Sequence, residues 1–224
     1  MNKIFYFFIL ICISYSFSAY SQSLPLVTNA GIWYCSEQDS TSLSQNTRSS
    51  NNNSQKSASS QESQDSAVLL NFHSVKSFND EVTSLRMPYD ISRSSRLTVI
   101  VVFHSQDTIV EHGIWSVFRG GKQISGLTDK RLLRQNSEYI YGVKRRGIPL
   151  INTSMQSFSK LRGSTDNNHF ELGNAILRDS TVSFFFGDIA ECLVFDHFLK
   201  KQQALKVETY LAIKYGITLI ESDY

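Results

Sequence analysis

Cysteine, proline and glycine are all scarce in this chain of 224 residues, with 3, 3 and 11 copies. Three cysteines are too few for a small domain held together by disulfides, and so little glycine and proline excludes a collagen-like chain. Net charge is also small, since 22 Lys and Arg against 20 Asp and Glu leave +2. That balance gives no electrostatic reason to expect nucleic acid as a partner. The chain does have 41% apolar and 12% aromatic residues, which predicts one globular domain with a substantial core.

The N-terminus has the pattern of an export signal. A positive charge at Lys3 precedes an unbroken apolar run at residues 4–13, and small residues follow at the two positions that signal peptidase recognises. The run is about half as long as a membrane-spanning helix, so we predict a signal peptide at 1–21 that is cut before Gln22. The mature chain is then exported to the periplasm, outer surface or medium, without a stable membrane span.

A second segment has little that could enter a core. Of the 27 residues at 40–66, 19 are Ser, Asn or Gln. Such a composition cannot bury enough apolar surface to offset the entropy of ordering the chain. We predict a disordered insertion at 40–66, inside a single domain that spans 22–224.

Short runs of β-branched and aromatic residues dominate the chain after residue 66, and each is bounded by Gly, Asp, Asn or Ser. The run at 97–103 is almost purely apolar, which predicts a central strand that is covered on both faces. No helical pattern separates these runs, and this favours an antiparallel sandwich. The predicted strands are residues 32–34, 67–70, 97–103, 114–118, 138–143, 181–186 and 189–195.

The last forty residues combine the strand at 189–195 with a helix. Alternation along an extended strand predicts that Ile189, Leu193 and Phe195 lie on one face. Apolar residues then recur at spacings of three, four and four, which predicts a helix over 200–215. The glycine that follows fits the left-handed position that ends a helix.

These C-terminal motifs resemble a known family signature. The chain has GDIAE at 187–191 and YLAIKYGITL at 210–219. Both are similar to the closing strand and helix of concanavalin A-like (laminin-G-like) jelly-roll domains in surface proteins of Bacteroidetes-type bacteria. The resemblance is dense over roughly thirty residues and implies an all-β, antiparallel two-sheet jelly-roll sandwich with one C-terminal α-helix. The family's Ser or Thr cap is missing, and Lys200 and Lys201 are expected to weaken the first helical turn.

The sequence contains parts of two catalytic motifs, and neither is complete. Glycosidases of such folds need two carboxylates facing each other across the sugar, usually from alternating acids on a strand. Asp188 and Glu191 are three residues apart, so we expect them to face opposite sides of the strand, with Glu191 held as a structural carboxylate. Glu111 and His112 lack the second histidine of a zinc protease motif. We therefore predict no catalytic residues and no enzyme activity.

No cofactor or metal site is predicted. Calcium is the one alternative, because Asp166, Asn167 and Asn168 offer three side-chain oxygens in a polar loop. Calcium takes six to eight oxygen ligands, so an Asx-rich turn is the preferred interpretation. The five histidines show no ligand spacing.

Two basic clusters suggest a binding surface. Residues 130–134 and 144–146 come near each other if the strands between them form a hairpin, and the tyrosines between them add a stacking platform for an acidic sugar or a partner's carboxylates. A solvated strand edge protected by its cations is the alternative. The candidate ligand-binding residues are Tyr139, Tyr141, Lys144, Arg145 and Arg146.

The two mature cysteines form a further candidate pair. The resemblance implies that the first and last strands share a sheet, which brings Cys35 and Cys192 close enough for a disulfide. Buried thiols that stay unbridged are the alternative, because Cys192 falls within an apolar strand.

Together these expectations describe an exported, non-catalytic carbohydrate-binding or cell-surface interaction module. Its expected partner is a glycan or a cell-envelope protein. Two alternatives stay open: a degenerate or divergent glycoside hydrolase, and a structural spacer or fragment of a larger modular adhesin.

Overall fold

The structure, a computed structural model, describes residues 29–36, 68–79, 83–91, 95–107, 109–134, 148–158 and 167–219, and the backbone of 137–140. The predicted signal peptide at 1–21 and the predicted insertion at 40–66 lie outside the described residues.

The described chain consists of short strands and one C-terminal helix. The strands are β1 (Ile32–Cys35), β2 (Leu69–Leu70), β3 (His73–Ser74), β4 (Lys76–Phe78), β5 (Leu85–Pro88), β6 (Arg96–Ser105), β7 (Gly113–Arg119), β8 (Lys122–Thr128), β9 (Arg131–Arg134), β10 (Ser137–Ile140), β11 (Leu150–Ser157), β12 (His169–Leu172), β13 (Asn174–Ile176), β14 (Val182–Phe184) and β15 (Gly187–Phe195). The helix is α1 (Lys201–Tyr215).

Two antiparallel sheets carry the fold. One has the order β1-β15-β6-β11, with β4 also paired to β15, and the other has the order β10-β9-β8-β7-β12-β5. The strands of both sheets pair antiparallel throughout. The predicted all-β sandwich with a C-terminal helix is therefore confirmed.

The five-stranded sheet is covered on both sides. Alternate residues of β6 show this, because Val99 and Val101 pack into the core between the sheets. Ile100 and Val102 pack on the opposite side, against the apolar face of α1. The molecule thus has three layers, helix, five-stranded sheet and six-stranded sheet, and the predicted central strand is confirmed.

A β-bulge changes the predicted faces of β15. The pairing with β6 shifts between Ile189 and Glu191, so Ala190 and Glu191 both lie on the helix side. Ile189 and Cys192 lie on the core side instead. The prediction that Ile189 shares a face with Leu193 was wrong, because one extra residue reverses the alternation after it.

Helix α1 agrees with the predicted pattern. Ala204, Val207, Leu211 and Tyr215 are buried against the sheet, and Gly216 adopts the left-handed conformation at φ 65°. At the other end, the Lys200 backbone N–H donates to Gln203 Oε1 over 2.9 Å. The helix starts without an acidic residue in its first turn.

A tight turn joins two strands of the six-stranded sheet, and two short hairpins lie outside both sheets. Gly120 and Gly121, both with positive φ, form the turn between β7 and β8. The β2–β3 hairpin turns at Asn71 and lies at the end of α1, where Asn71 Nδ2 donates to the Lys214 carbonyl over 2.8 Å. The β13–β14 hairpin crosses the outer face of β7 and β8, where Ser116 Oγ donates to Asn174 Oδ1.

Candidate functional site

The predicted tyrosine and lysine-arginine platform is placed only in part. Tyr139 lies in β10 at the border of the six-stranded sheet, where its backbone pairs with Leu132. Tyr141, Lys144, Arg145 and Arg146 lie outside the described residues. The hairpin that the platform requires does form, between β9 and β10.

The first basic cluster is already bound by the protein. Lys130 Nζ donates to the Ile109 carbonyl over 2.7 Å, and Arg131 Nη2 lies 2.6 Å from Glu111 Oε2. Arg134 points elsewhere, between the two sheets, where its Nε donates to Gln156 Oε1 over 2.7 Å. These cations therefore fix loops and strands together and do not form one basic patch.

Lys130 and Arg131 belong to a larger constellation at one end of the sandwich. The β6–β7 loop, the β8–β9 turn and the segment between β14 and β15 meet there. In an antiparallel sheet every second connection lies at the same end, and this places the first two together. We name this constellation the loop-edge site. It comprises Asp107, Glu111, His112, Asp129, Lys130, Arg131 and Phe186.

His112 lies at the centre of the loop-edge site. Its Nε2 is 3.2 Å from Asp107 Oδ2, and its Nδ1 is 2.9 Å from the Phe184 carbonyl oxygen. The His112 backbone is held as well, since its N–H donates to Asp129 Oδ1 and its carbonyl accepts from the Asp129 N–H, each over 2.9 Å. Both imidazole nitrogens thus face acceptor oxygens of the protein.

The carboxylates of the site also have protein partners. Glu111 accepts from the Thr128 hydroxyl over 2.6 Å and pairs with Arg131. Hydrogen bonds from the Ile109 backbone N–H and from His112 lower the pKa of Asp107. Burial raises the pKa of Asp129. The negative charge of Glu111 also raises the pKa of Asp129, by less than burial does.

One aromatic side chain remains available beside these groups. The Phe186 ring lies 6.1 Å from the His112 ring and is 40% exposed. The neighbouring loop adds two exposed aliphatic side chains, Ile109 and Val110. The site therefore combines an exposed ring with charged groups that protein partners hold in place.

The acids of the GDIAE segment lie elsewhere and serve the fold. Glu191 is fully buried and accepts from Trp33 Nε1 at 2.7 Å, Lys214 Nζ at 3.0 Å and Tyr215 Oη at 2.8 Å. The structural assignment of Glu191 is confirmed, with partners from β1 and α1. We name these four residues the Glu191 cluster.

Asp188 forms a second buried group on the same side of the sheet. It accepts from Ser77 Oγ over 2.6 Å and from Gln106 Nε2 over 3.2 Å, and His104 Nδ1 lies 3.3 Å away. The prediction that Asp188 and Glu191 face opposite sides was wrong, because the bulge puts both on the helix side. They still make no acid and nucleophile pair, since each is surrounded by its own donors.

Cys35 and Cys192 are buried but not joined. Their strands are neighbours, as expected, but Cys192 pairs with Tyr34 while Cys35 pairs with Glu191. Cys192 therefore lies on the core side, whereas the Cys35 sulfur is 3.6 Å from Lys214 Nζ on the helix side. The disulfide is not formed because the two side chains point to opposite faces of the sheet.

Within the described residues there is no group of three or more His, Cys, Asp or Glu arranged to hold a metal ion. Asp166, one of the three residues of the alternative calcium site, lies outside the described residues. Asn167 has a positive φ of 60°, and Asn168 Oδ1 accepts from the Gly120 N–H over 3.0 Å. The two asparagines thus form turn contacts.

Sequence reasoning missed the loop-edge site because its residues form no spaced motif. The available signal was the density of charge between residues 107 and 131, where strand ends carry Asp, Glu, His, Lys and Arg. Phe186 gave no signal, because it ends a run that otherwise reads as a strand.

Comparisons with known proteins give no family. No family model matches the chain, and no curated protein matches it. Among solved structures, Trypanosoma rangeli sialidase in complex with sialic acid aligns at 12% identity and a TM-score of 0.38, over 55% of this chain and 24% of that one. NanB plus Optactamide aligns at 12% identity and a TM-score of 0.37, over 59% and 27%. A likeness of this size, over about a quarter of each relative, assigns no activity to the chain.

Among the described residues, the single helix is too short and too polar to cross a membrane.

Proposed function

We propose that the mature chain is an exported, non-catalytic binding module whose loop-edge site takes a glycan. The observation that carries this proposal is the combination at that site. Phe186 is exposed, whereas His112 and the neighbouring carboxylates are held by protein donors and acceptors. A ring face packs on the C–H face of a sugar, and fixed charged groups beside it accept or donate hydrogen bonds to hydroxyls.

The same contacts argue against catalysis. A general base must be able to take a proton from the substrate, but both nitrogens of His112 already face acceptors. Glycoside hydrolysis needs one carboxylate as acid and a second as nucleophile or base. At the loop-edge site Glu111 is paired with Arg131, and Asp107 is tied to His112.

The test is glycan-array screening of the mature protein, followed by affinity measurement on the best ligand. We expect Phe186→Ala to weaken binding at least tenfold. The matched control is Phe198→Ala, since Phe198 is 37% exposed but follows the far end of β15, roughly 27 Å away at about 3.3 Å per residue. It should bind as the unchanged protein does.

Two results contradict the proposal. Cleavage of the bound glycan that Asp129→Asn abolishes would make the chain a glycosidase. Absence of binding to any glycan or envelope protein would favour the alternative that the chain is a structural spacer.

A cell-envelope protein is the second candidate ligand. Ile109 and Val110 favour it, because exposed aliphatic side chains of a loop contact proteins more readily than sugars. A double variant, Ile109→Ser with Val110→Ser, should then lose affinity for any purified envelope protein that binds the unchanged chain. If the ligand is a glycan that stacks on Phe186, the same variant should keep its affinity.

A further inference from the structure

A thiol, an amine and a carboxylate meet between the first strand and the end of the helix. Cys35 Sγ lies 3.6 Å from Lys214 Nζ, and the same nitrogen lies 3.0 Å from Glu191 Oε2. The three groups come from β1, α1 and β15. They are well shielded, since Cys35 is 6% exposed and the Lys214 side chain 12%.

We propose that Cys35 and Lys214 are a modification site at which a peroxide forms a covalent Sγ–Nζ crosslink. This chemistry lies outside the proposed binding function. It rests on the juxtaposition of a nucleophilic sulfur, an amine within contact distance and a buried carboxylate that holds the amine beside the sulfur.

The first step oxidises the sulfur. The Cys35 thiolate attacks hydrogen peroxide, the O–O bond breaks, and a sulfenic acid and hydroxide form; the sulfur loses two electrons and the peroxide gains them. The positive charge of Lys214 beside the sulfur favours the thiolate that this attack requires.

The second step joins the two side chains. The hydroxide released in the first step takes the extra proton of Lys214 as water, and the amine attacks the sulfur of the sulfenic acid. The S–N bond forms as the S–O bond breaks, and the leaving hydroxide takes a proton from the amine as water. In total, thiol, amine and one peroxide give a sulfenamide and two waters. A second peroxide can instead oxidise the amine: the nitrogen attacks it, the O–O bond breaks, and a hydroxylamine and one water form. The hydroxylamine oxygen then attacks the sulfenic sulfur, whose hydroxide leaves as a second water, and the link is an oxygen-bridged N–O–S.

Cys192 supplies an internal comparison. It lies on the core side of the same sheet, and burial followed by the charge of Glu191 raises the pKa of its thiol above the ordinary range. A protonated thiol among apolar side chains is a poor nucleophile. Peroxide should therefore select Cys35 over Cys192.

The crosslink would tie residues 179 positions apart in the chain. Closing so long a loop restricts the unfolded chain most strongly. The crosslink also removes the ammonium that pairs with Glu191, so these two effects on stability oppose each other, and the crosslink is detected by mass and not by melting temperature.

The experiment treats the folded mature protein with hydrogen peroxide and maps its peptides by mass spectrometry without reduction. The expected product joins the Cys35 and Lys214 peptides, with two hydrogens fewer than their sum, or that mass plus one oxygen. Cys192→Ser should keep the product, and Cys35→Ser and Lys214→Arg should lose it.

The unchanged protein decides the question even where a variant does not fold. Joined peptides that dithiothreitol separates support the site. Cys35 recovered as a sulfinic acid or as an unreacted thiol with Lys214 unmodified, or Cys35 joined to Cys192, would overturn it.

Discussion

Replacing the charged pair of the Glu191 cluster, singly and together, tests how the last strand, the first strand and the helix are held to one another. Glu191→Gln keeps the shape of the side chain but leaves the Lys214 ammonium without its carboxylate. Lys214→Met does the reverse, and leaves a fully buried carboxylate with only the Trp33 and Tyr215 donors.

The two changes should differ in cost. Removing one partner of a buried ion pair typically costs roughly 3–5 kcal/mol, because the remaining charge is then buried without its partner. Lys214 keeps some contact with water, so Glu191→Gln should cost about 3 kcal/mol and Lys214→Met about 4. The double variant leaves no buried charge without a partner, so it should lose about 3 kcal/mol, no more than either single variant and well short of the sum of about 7.

The assay is equilibrium unfolding in urea at pH 7, at low and high salt. Because the pair is buried, we expect the coupling energy of about 4 kcal/mol to change little with salt. The pKa of Lys214 agrees with a strong ion pair: burial lowers it, but the charge and the hydrogen bond of Glu191 raise it more, so the pKa is raised overall.

Additive costs in that cycle, or single costs below about 1 kcal/mol, would refute the reasoning, because they are the values of an exposed ion pair.

Three further predictions concern single positions, each read by thermal or urea unfolding. Asp107→Asn should destabilise the protein at neutral pH, because the folded pKa of Asp107 lies below its ordinary value of 3.8. The stability that the Asp107 carboxylate contributes is present above pH 3.8 and is lost as the pH falls through the folded pKa. A difference between the variant and the unchanged protein that persists in acid would contradict this. Gly173→Ala should cost at least about 2 kcal/mol, because Gly173 has φ 94° and an added Cβ would clash with the Phe78 ring. An unchanged stability would contradict this prediction. Phe72→Gly should stabilise by about 1 kcal/mol, since Phe72 has φ 68° and is 92% exposed; a loss would mean that the ring makes a contact in solution.

The elements that the sequence predicts best are those whose pattern repeats along the chain. The run at 97–103 and the helix stripe ending at Tyr215 are set by burial on regular faces, so periodicity alone locates them. The bulge at Ala190 has no such signature, because one inserted residue leaves the composition of the strand unchanged and alters only its partner register.

The site was harder to predict than the fold for a related reason. His112, Asp129 and Phe186 lie on three separate connections, and only the tertiary fold brings them together. The predicted platform around Tyr139 was argued from neighbours in sequence, and its first cations instead bind Glu111, Ile109 and Gln156.

The most direct test of the central claim measures binding and turnover in one experiment. The protein is mixed with its best array glycan and its affinity is determined by calorimetry. The sugar is then recovered after prolonged incubation, and its mass is measured by mass spectrometry. We predict saturable binding that Phe186→Ala weakens at least tenfold and a sugar of unchanged mass. Shortened sugar, or binding that Phe186→Ala leaves intact, would contradict the account.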